Sequence, residues 1–436
     1  MKRLGAFRFY HNLLFKSNFE NEEYALASQC LLRGMTYRLP ADSHHDRLVG
    51  FKSIFRVLKR MADSELTPFS SSSQVMALTG SVKSMTIRND YLQSFGVDNA
   101  AVVAKSQLVG HWRLLSSSVL ILNFGYALLQ GIWCLISAKN RVQRALVLYE
   151  IIEAELLIEI IGKKGYTSFH DFAQFEIDSN AFYLFLKSRH PNVSVSKYPS
   201  PGPLSLHNSI MLTDVLCYNG PYHLDELKNL PNIRRKEMKQ VPPEGYLEYV
   251  KRYRTEGLKT DARSIGYYSH GSWKRKERGD ADDGLKIFEN EQSLLNLISQ
   301  LLIADEAISL KIFLHPIEHS SEFSIPAFYD QFNFGSERVT YSTPDLRSVD
   351  AFHTVRIGIG VYSTILFERL FAGFPTLFFT QDPNFPIRNS SLEKIALSKI
   401  GTETIQSMLR LSRGDFFEKF NLTGFVDETI RKEHLS

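Results

Sequence analysis

Cysteine is scarce in this chain: Cys30, Cys134 and Cys217 stand far apart, with no CxxC pair. That spacing excludes a disulfide framework and a cysteine-based zinc site, and it fits a reducing compartment. A strong charge of either sign is also missing. The 51 Lys and Arg set against 47 Asp and Glu leave a formal +4 on 436 residues. The basic runs carry no aromatic motif of a nucleic-acid module, so no nucleic-acid partner is expected. The amino terminus, MKRLGAFRFYHNLLFKSNFE, has neither an uninterrupted apolar core nor a small-residue cleavage site, and does not read as a secretory signal. The expected location is therefore the cytoplasm, with a peripheral contact on the inner membrane as its extension. No DxD-like motif falls at the end of an expected strand, and neither an essential metal nor a cofactor is expected. Internal repeats and low-complexity tracts are absent from the sequence as well.

What is present is the balance of a globular protein, 44% hydrophobic and 22% charged. A chain of this length exceeds one compact domain and suits two of about 200 residues each, so two cores and a cleft are expected. One uncharged stretch, Leu114–Ala138, has the length of a bilayer span. It also holds four serines, Asn123 and Gln130, and the strand-like RALVLYEI (144–151) follows it. It reads as a buried or peripheral helix, with an interfacial membrane contact and a true span as alternatives. The basic runs IRRKEMK (233–239), KRYR (251–254) and WKRKER (273–278) suit solvated faces, or contact with anionic head groups or a phosphorylated substrate.

Residues 1–70 form an unassigned extension expected to pack on the first domain. From VMALTGSVKSM (75–85) onward, short apolar runs alternate with helical lengths: NAAVVAK (99–105), the uncharged segment, ALVLYE (145–150), a helix over 152–162, YTSFHDF (166–172), a helix over 180–190, VSVSKY (193–198) and the buried SIMLTDVLCY (209–218). This alternation predicts a Rossmann-like domain over 71–230. The polar, basic stretch 231–262 reads as a linker. A second alternation fills 263–436: RSIGYYSHGSW, an amphipathic helix over 289–304, LKIFLHP (310–316), RVTYS (338–342), TVRIGIGVYS (354–363), the helix STILFERLFAG (363–373) and the strand PTLFF (375–379). SLEKIALSKI and DETIRKEHLS read as closing helices. The fold class is α/β, two Rossmann-like domains facing a cleft.

In open α/β sheets, ligands sit beyond the carboxyl ends of the strands. Three such turns in the second domain carry phosphate-friendly residues. After the first strand come Ser269 and Gly271, the glycine allowing close backbone approach. After LKIFL come His315 and Pro316, an imidazole that can meet a phosphate on a turn fixed by proline. After IGIG come Ser363 and Thr364 at a helix start, where backbone N–H groups favour an anion, with Glu368 one turn on for ribose hydroxyls. In the first domain, an acceptor's proton needs a base. The candidates are His170, Asp171, His207 and Asp214, with Asp214 and His207 ranked first, Asp214 because an acid inside an apolar run must be paired or useful. Thr79, Ser81 and Lys83 suit an acceptor-binding turn.

The His-Pro turn followed by a strand-Ser-Thr-helix resembles the donor half of bacterial GT-B transferases that use cytidine-activated donors: the sialyltransferase and polysialyltransferase group, capsule Kdo transferases and CDP-glycerol polymerases. The resemblance covers about residues 260 to 380. It implies that His315, Ser363 and Thr364 bind the CMP portion and that Glu368 contacts the nucleotide ribose. It further implies a metal-independent glycosyltransferase that moves a sugar, from a CMP donor ahead of a UDP donor, to a glycan or lipid-linked acceptor in surface polysaccharide synthesis. The sialyltransferase group places an acidic-acidic-Gly motif in its first domain; here the triplet Asp282-Asp283-Gly284 falls in the second. A glycerol- or ribitol-phosphate transferase and a non-catalytic membrane-associated scaffold remain the rival readings.

Overall fold

The structure is a computed structural model that describes residues 5–16, 18–38, 51, 54, 55, 57–59, 61, 73–80, 84–136, 148–172, 179–198, 210–228, 230, 232–242, 263–277, 287–319, 325–361, 363–379, 394–397 and 401–426. His207, Ser81, Lys83, the Asp282-Asp283-Gly284 triplet and the closing segment 427–436 lie outside the described residues.

The chain forms the expected α/β architecture: two compact units, each built on a six-stranded parallel sheet. The first unit's sheet contains β1 (Val75–Thr79), β2 (Ala101–Ala104), β3 (Ser168–Asp171), β4 (Ser194–Lys197), β6 (Val215–Tyr218) and β8 (Glu237–Gln240), in the order β2-β1-β3-β4-β6-β8. Two further strands, β5 (Met211–Leu212) and β7 (Ile233–Arg234), pair with each other. Its helices are α1 (Ala6–Phe15), α2 (Glu22–Arg38), α3 (Met85–Ser94), α4 (Ser117–Ile136), α5 (Leu148–Lys164) and α6 (Ser179–Arg189). Helix α1 is buried in the unit's core through Tyr10, Leu13 and Leu14, and the Ala6 N–H donates to the Glu155 carboxylate of α5.

The second unit takes the segment Asn219–Asn229, with α7 (Pro221–Lys228), and everything from Pro242 onward. Its sheet contains β9 (Ser264–Tyr268), β10 (Ser309–Phe313), β11 (Val339–Tyr341), β12 (Ile357–Gly360), β13 (Thr376–Phe379) and β14 (Ala396–Leu397), in the order β11-β10-β9-β12-β13-β14. Its helices are α8 (Ser272–Glu277), α9 (Ile287–Ala304), α10 (Ile325–Asp330), α11 (Thr364–Phe371), α12 (Thr402–Leu409) and α13 (Arg413–Lys419). The central strands are apolar on both faces because helices cover both sides; every residue of β9 is buried. Helix α9 turns Leu294, Leu295, Ile298, Leu301 and Leu302 inward at helical spacing.

Three expectations are corrected. Residues 148–150, read as strand, are the first turn of α5; a short run such as ALVLYE has no period that separates strand from helix. Ala396–Leu397, read as helix, extends the sheet beside β13. Within the stretch read as linker, Glu237–Gln240 forms the edge strand β8 against β6. An edge strand has one solvent-facing side, so its charged residues mimic a linker.

The buried histidines give the first unit an acid sensitivity. His170 is held between the Tyr198 hydroxyl at Nδ1 and the Ser168 hydroxyl at Nε2, and burial lowers its pKa to about 4. A histidine whose folded pKa is depressed adds stability that is complete above its unfolded value of 6.5 and is lost as pH falls toward the folded value. The group therefore costs the fold about 2 kcal/mol between pH 7 and pH 5. Denaturant melts across that range should show the loss, and His170→Gln should remove this share of the pH slope.

Candidate functional site

The second unit's strand order makes a topological switch point. From β9 the chain steps to β10 and β11 on one side, then crosses to β12, β13 and β14 on the other. The crevice beyond the carboxyl ends of β9 and β12 is where such a sheet receives a ligand. The register is tight there: Tyr268 pairs with Phe313 and Tyr267 with Ile359. A Cβ on Gly360 would lie 2.8 Å from the Tyr268 carbonyl oxygen, so only glycine lets the two strands end side by side.

The structure brings together Ser269, Gly271 and His315. Gly271 has φ +68, and a Cβ there would meet Ile317 at 2.5 Å and His315 at 3.1 Å, so the loop after β9 lies flush against the loop after β10. The Ser269 hydroxyl accepts from the Gly271 N–H at 2.9 Å. Two buried carboxylates hold these loops, and both were missed by sequence reasoning. Glu291, on the buried face of α9, accepts from the His270 N–H at 2.7 Å and from the hydroxyls of Ser272 and Tyr267. Glu318 accepts from the His315 N–H at 2.6 Å, from Tyr329 at 2.8 Å and from the Trp273 indole. Burial raises its pKa while these donors oppose the shift. The signal for Glu291 was a glutamate on the leucine-bearing face of a helix; Glu318, in a polar turn, gave none.

His315 is half-buried, and its Nδ1 accepts from the Ile317 N–H at 3.2 Å. A nitrogen that accepts holds no proton, so the ring is neutral with its proton on Nε2. Burial, helped by Arg275, His270 and His319, lowers its pKa to about 4, and the ring stays neutral at pH 7. The imidazole is thus a preset Nε2–H donor. Pro316, exposed, forms the turn that follows. Within the run WKRKER, Lys274 pairs with Glu277 at 2.6 Å, Lys276 lies over Phe288, and the field of Arg275 reaches His315.

On the far side of β9, β12 delivers the chain to α11. Ser363 is the N-cap residue, half-buried, and its hydroxyl makes no capping bond. Thr364 is exposed and Glu368 half-buried one turn on. The helix ends at Gly373 (φ +76), with the Phe374 N–H returning to the Arg369 carbonyl at 3.0 Å. Arg369, fully buried and unremarked in the sequence, donates to the carbonyls of Val355, Phe352 and Pro375 and to the Tyr268 hydroxyl. It ties α11 to the approaches of β12 and β13.

In the first unit, Asp214 lies on the wrong edge for the ranked role of base. It precedes β6 and accepts from the Val195 N–H near the start of β4, with Lys187 at 3.0 Å and Lys236 at 2.7 Å. These donors outweigh burial and lower its pKa. That is a clamp at the amino edge of a parallel sheet, opposite the edge where ligands sit. Lys236, Arg234 and Lys239 of the run IRRKEMK are engaged within the unit by Asp214, Glu22 and the Phe95 ring. Among the described residues, Asp171 offers a carboxylate at the carboxyl edge, as the last residue of β3 beside the switch between β1 and β3, where it accepts from Ser179 at 2.7 Å. Thr79 ends β1 beside it and is buried. Among the described residues no group of three or more His, Cys, Asp or Glu is gathered to hold a metal ion.

No family model and no curated protein matches the sequence. Among solved structures, the chain is similar to Anabaena HepE in complex with UDP and glucose, at 8% identity and TM-score 0.44 over 83% of this chain and 95% of that one. It is similar to a Listeria monocytogenes protein described as a UDP-N-acetylglucosamine 2-epimerase, at 13% and 0.44 over 80% and 89%. It is also similar to the wall teichoic acid polymerase TagF, at 11% and 0.41 over 88% and 92%.

Proposed function

We propose that this chain is a metal-independent GT-B glycosyltransferase, which binds a nucleotide-activated sugar at the carboxyl edge of the second unit's sheet. The sugar passes to a glycan or lipid-linked acceptor in the assembly of a bacterial surface polysaccharide. The observation that supports this reading is the gathering of a preset Nε2–H on His315, a flush glycine loop and an uncapped helix start at one topological switch point. Each suits a phosphate that departs with negative charge. His315 donates to a phosphate oxygen; Ser363 and Thr364 add hydroxyls beside the first N–H groups of α11; Glu368 takes ribose hydroxyls. Ser269 and Gly271 shape the floor. A cytidine donor, CMP-sialic acid or CMP-Kdo, is preferred over a UDP-sugar because the His-Pro and Ser-Thr turns resemble those of the cytidine-using transferases.

The acceptor and its base are assigned to the first unit, with Asp171 replacing Asp214 as the base. Asp171→Asn is expected to lower kcat about a hundredfold with little change in the melting curve. Asp214→Asn is expected to cost about 2 kcal/mol of stability and to spare the kcat of the folded fraction. The reading itself is tested by incubating the protein with CMP-, UDP- and GDP-sugars and an acceptor mixture, then following nucleotide release and the new linkage by NMR. Release of one nucleotide with a glycosidic product supports it. A phosphodiester product would assign the chain to polyol-phosphate transfer, and no release from any donor would favour the scaffold.

A further inference from the structure

Helix α4 is amphipathic in the reverse sense. Its polar Asn123 and Gln130 are buried, Gln130 against the Tyr126 hydroxyl, while Ile121, Leu122, Leu128, Leu129, Ile132 and Ile136 are exposed, Ile121 at 71% and Ile136 at 79%. The inward side is already used: Leu115 and Ala127 share a small core cluster with Ile152 and Leu156 of α5 and with Val57. Val57 belongs to a neighbouring segment of helical residues that closes on α4, the Phe51 ring lying 3.1 Å from the Cβ position of Gly131. The same segment exposes Phe55 at 70% and Leu58 at 47%. The two helical stretches thus present one apolar face on the first unit, beyond the few exposed hydrophobics that any soluble surface carries.

The sequence that flanks these helical stretches carries charge of one sign. Between Asp98 and Glu150 the chain has no acidic residue but contains Arg113, Lys139, Arg141 and Arg144, besides Lys105, which is buried against Glu153. Between Asp46 and Asp63 it has none either, and contains Arg47, Lys52, Arg56, Lys59 and Arg60. Arg113, just before α4, and Lys59, beside Leu58, are exposed. Lys163 reaches toward α4, its ammonium donating to the Leu114 carbonyl at 2.7 Å, and pairs with Glu159 at 3.4 Å.

We infer that this face docks on a bilayer rich in anionic lipid, α4 lying in the plane of the interface with its leucines and isoleucines among the acyl chains and the cations at the head groups. A helix of 20 residues with one side packed on protein offers only the other side to lipid. Among the described residues no helix is long and apolar enough to cross a membrane, consistent with a helix that lies on the surface. Apolar area alone would also suit a second copy of the chain. The basic sequence flanking α4, with Arg113 and Lys59 exposed, is what favours an anionic surface, since two copies would bring like charges together.

The docking surface stands whether or not the second unit binds a nucleotide. The full chain is floated with vesicles of neutral phosphatidylcholine and with vesicles that carry about one third phosphatidylglycerol, a fraction chosen to charge the surface. The wild type is expected to float with the anionic vesicles, to lose most binding at high salt, and to stay behind with the neutral ones. Leu122→Asp/Leu129→Asp and Lys59→Glu/Arg113→Glu should each weaken flotation at least tenfold while the melting temperature stays that of the wild type. Absence of anionic-vesicle binding, or binding unchanged in both variants, would overturn the inference. So would a dimer in sedimentation that the aspartate pair dissolves, because the face would then belong to a second copy.

Discussion

Replacing His315 with alanine should lower donor-dependent turnover by about a hundredfold to a thousandfold and leave the fold intact. The expectation follows from what the imidazole does at rest. Its Nδ1 is occupied by the Ile317 N–H, its pKa is held at about 4, and the remaining Nε2–H is fixed in direction before any ligand arrives. A preorganised donor aimed at a departing phosphate pays no reorganisation during the reaction, and loss of one such donor typically removes about two to three powers of ten from kcat. His315→Gln, which keeps an amide N–H, should recover part of the rate. Steady-state kinetics would check this, with far-UV circular dichroism showing that the sheet is unchanged. The half-buried ring makes no core cluster, so a melting temperature that collapsed along with activity would point to a structural role instead.

The second large effect is on stability. Arg369→Met should destabilise the second unit by about 3 to 5 kcal/mol, because it takes the guanidinium from the carbonyls of Val355 and Phe352 and leaves Pro375 only the Gly358 N–H. The arginine lies directly over β12: a Cβ on Gly358 would meet its Cδ at 2.5 Å. Glycine at 358 and arginine at 369 are therefore one device, and Gly358→Ala should cost far less in an Arg369→Ala background than alone, since alanine removes both arginine atoms that the new Cβ would meet. A double-mutant cycle by denaturant unfolding measures that coupling, and additive costs would show that the two positions act separately.

The parts of the fold that were legible share a physical cause. Central parallel strands are buried on both faces, so SIGYY, LKIF and IGIG read as short apolar runs, and the glycines and prolines at their ends mark the turns. The strand Glu237–Gln240 was illegible because an edge strand with exposed residues has the composition of a loop. Ala396–Leu397 is too short to show a period, since its place is set by a partner strand far away in sequence.

The second unit's site was more legible than the first's. A parallel sheet brings every strand-end turn to one edge, so His315, Gly271 and Ser363 could be grouped without knowing the strand order. Asp214 was misread for a related reason. An aspartate in an apolar run announces only that it is engaged, and SIMLTDVLCY does not show that the chain breaks at Asp214 into two strands, which puts the carboxylate at the amino edge between Lys187 and Lys236. Glu318 stood three residues beyond His315, and Glu291 on the buried side of an amphipathic helix. Only Glu291 carried a signal, an acid on the face of the helix that bears Leu294, Leu295 and Ile298; Glu318, between Ile317 and His319 in a turn, carried none.

The most direct test of the donor site is isothermal calorimetry of the wild type, His315→Ala and Ser363→Ala against CMP, CDP, UDP, GDP and their common sugar conjugates. One nucleotide series is expected to bind the wild type in the range of about 1 μM to 1 mM usual for enzyme substrates, and at least tenfold more weakly in each variant. Binding of no nucleotide, or equal binding in all three proteins, would contradict a donor site at the carboxyl edge of β9, β10 and β12.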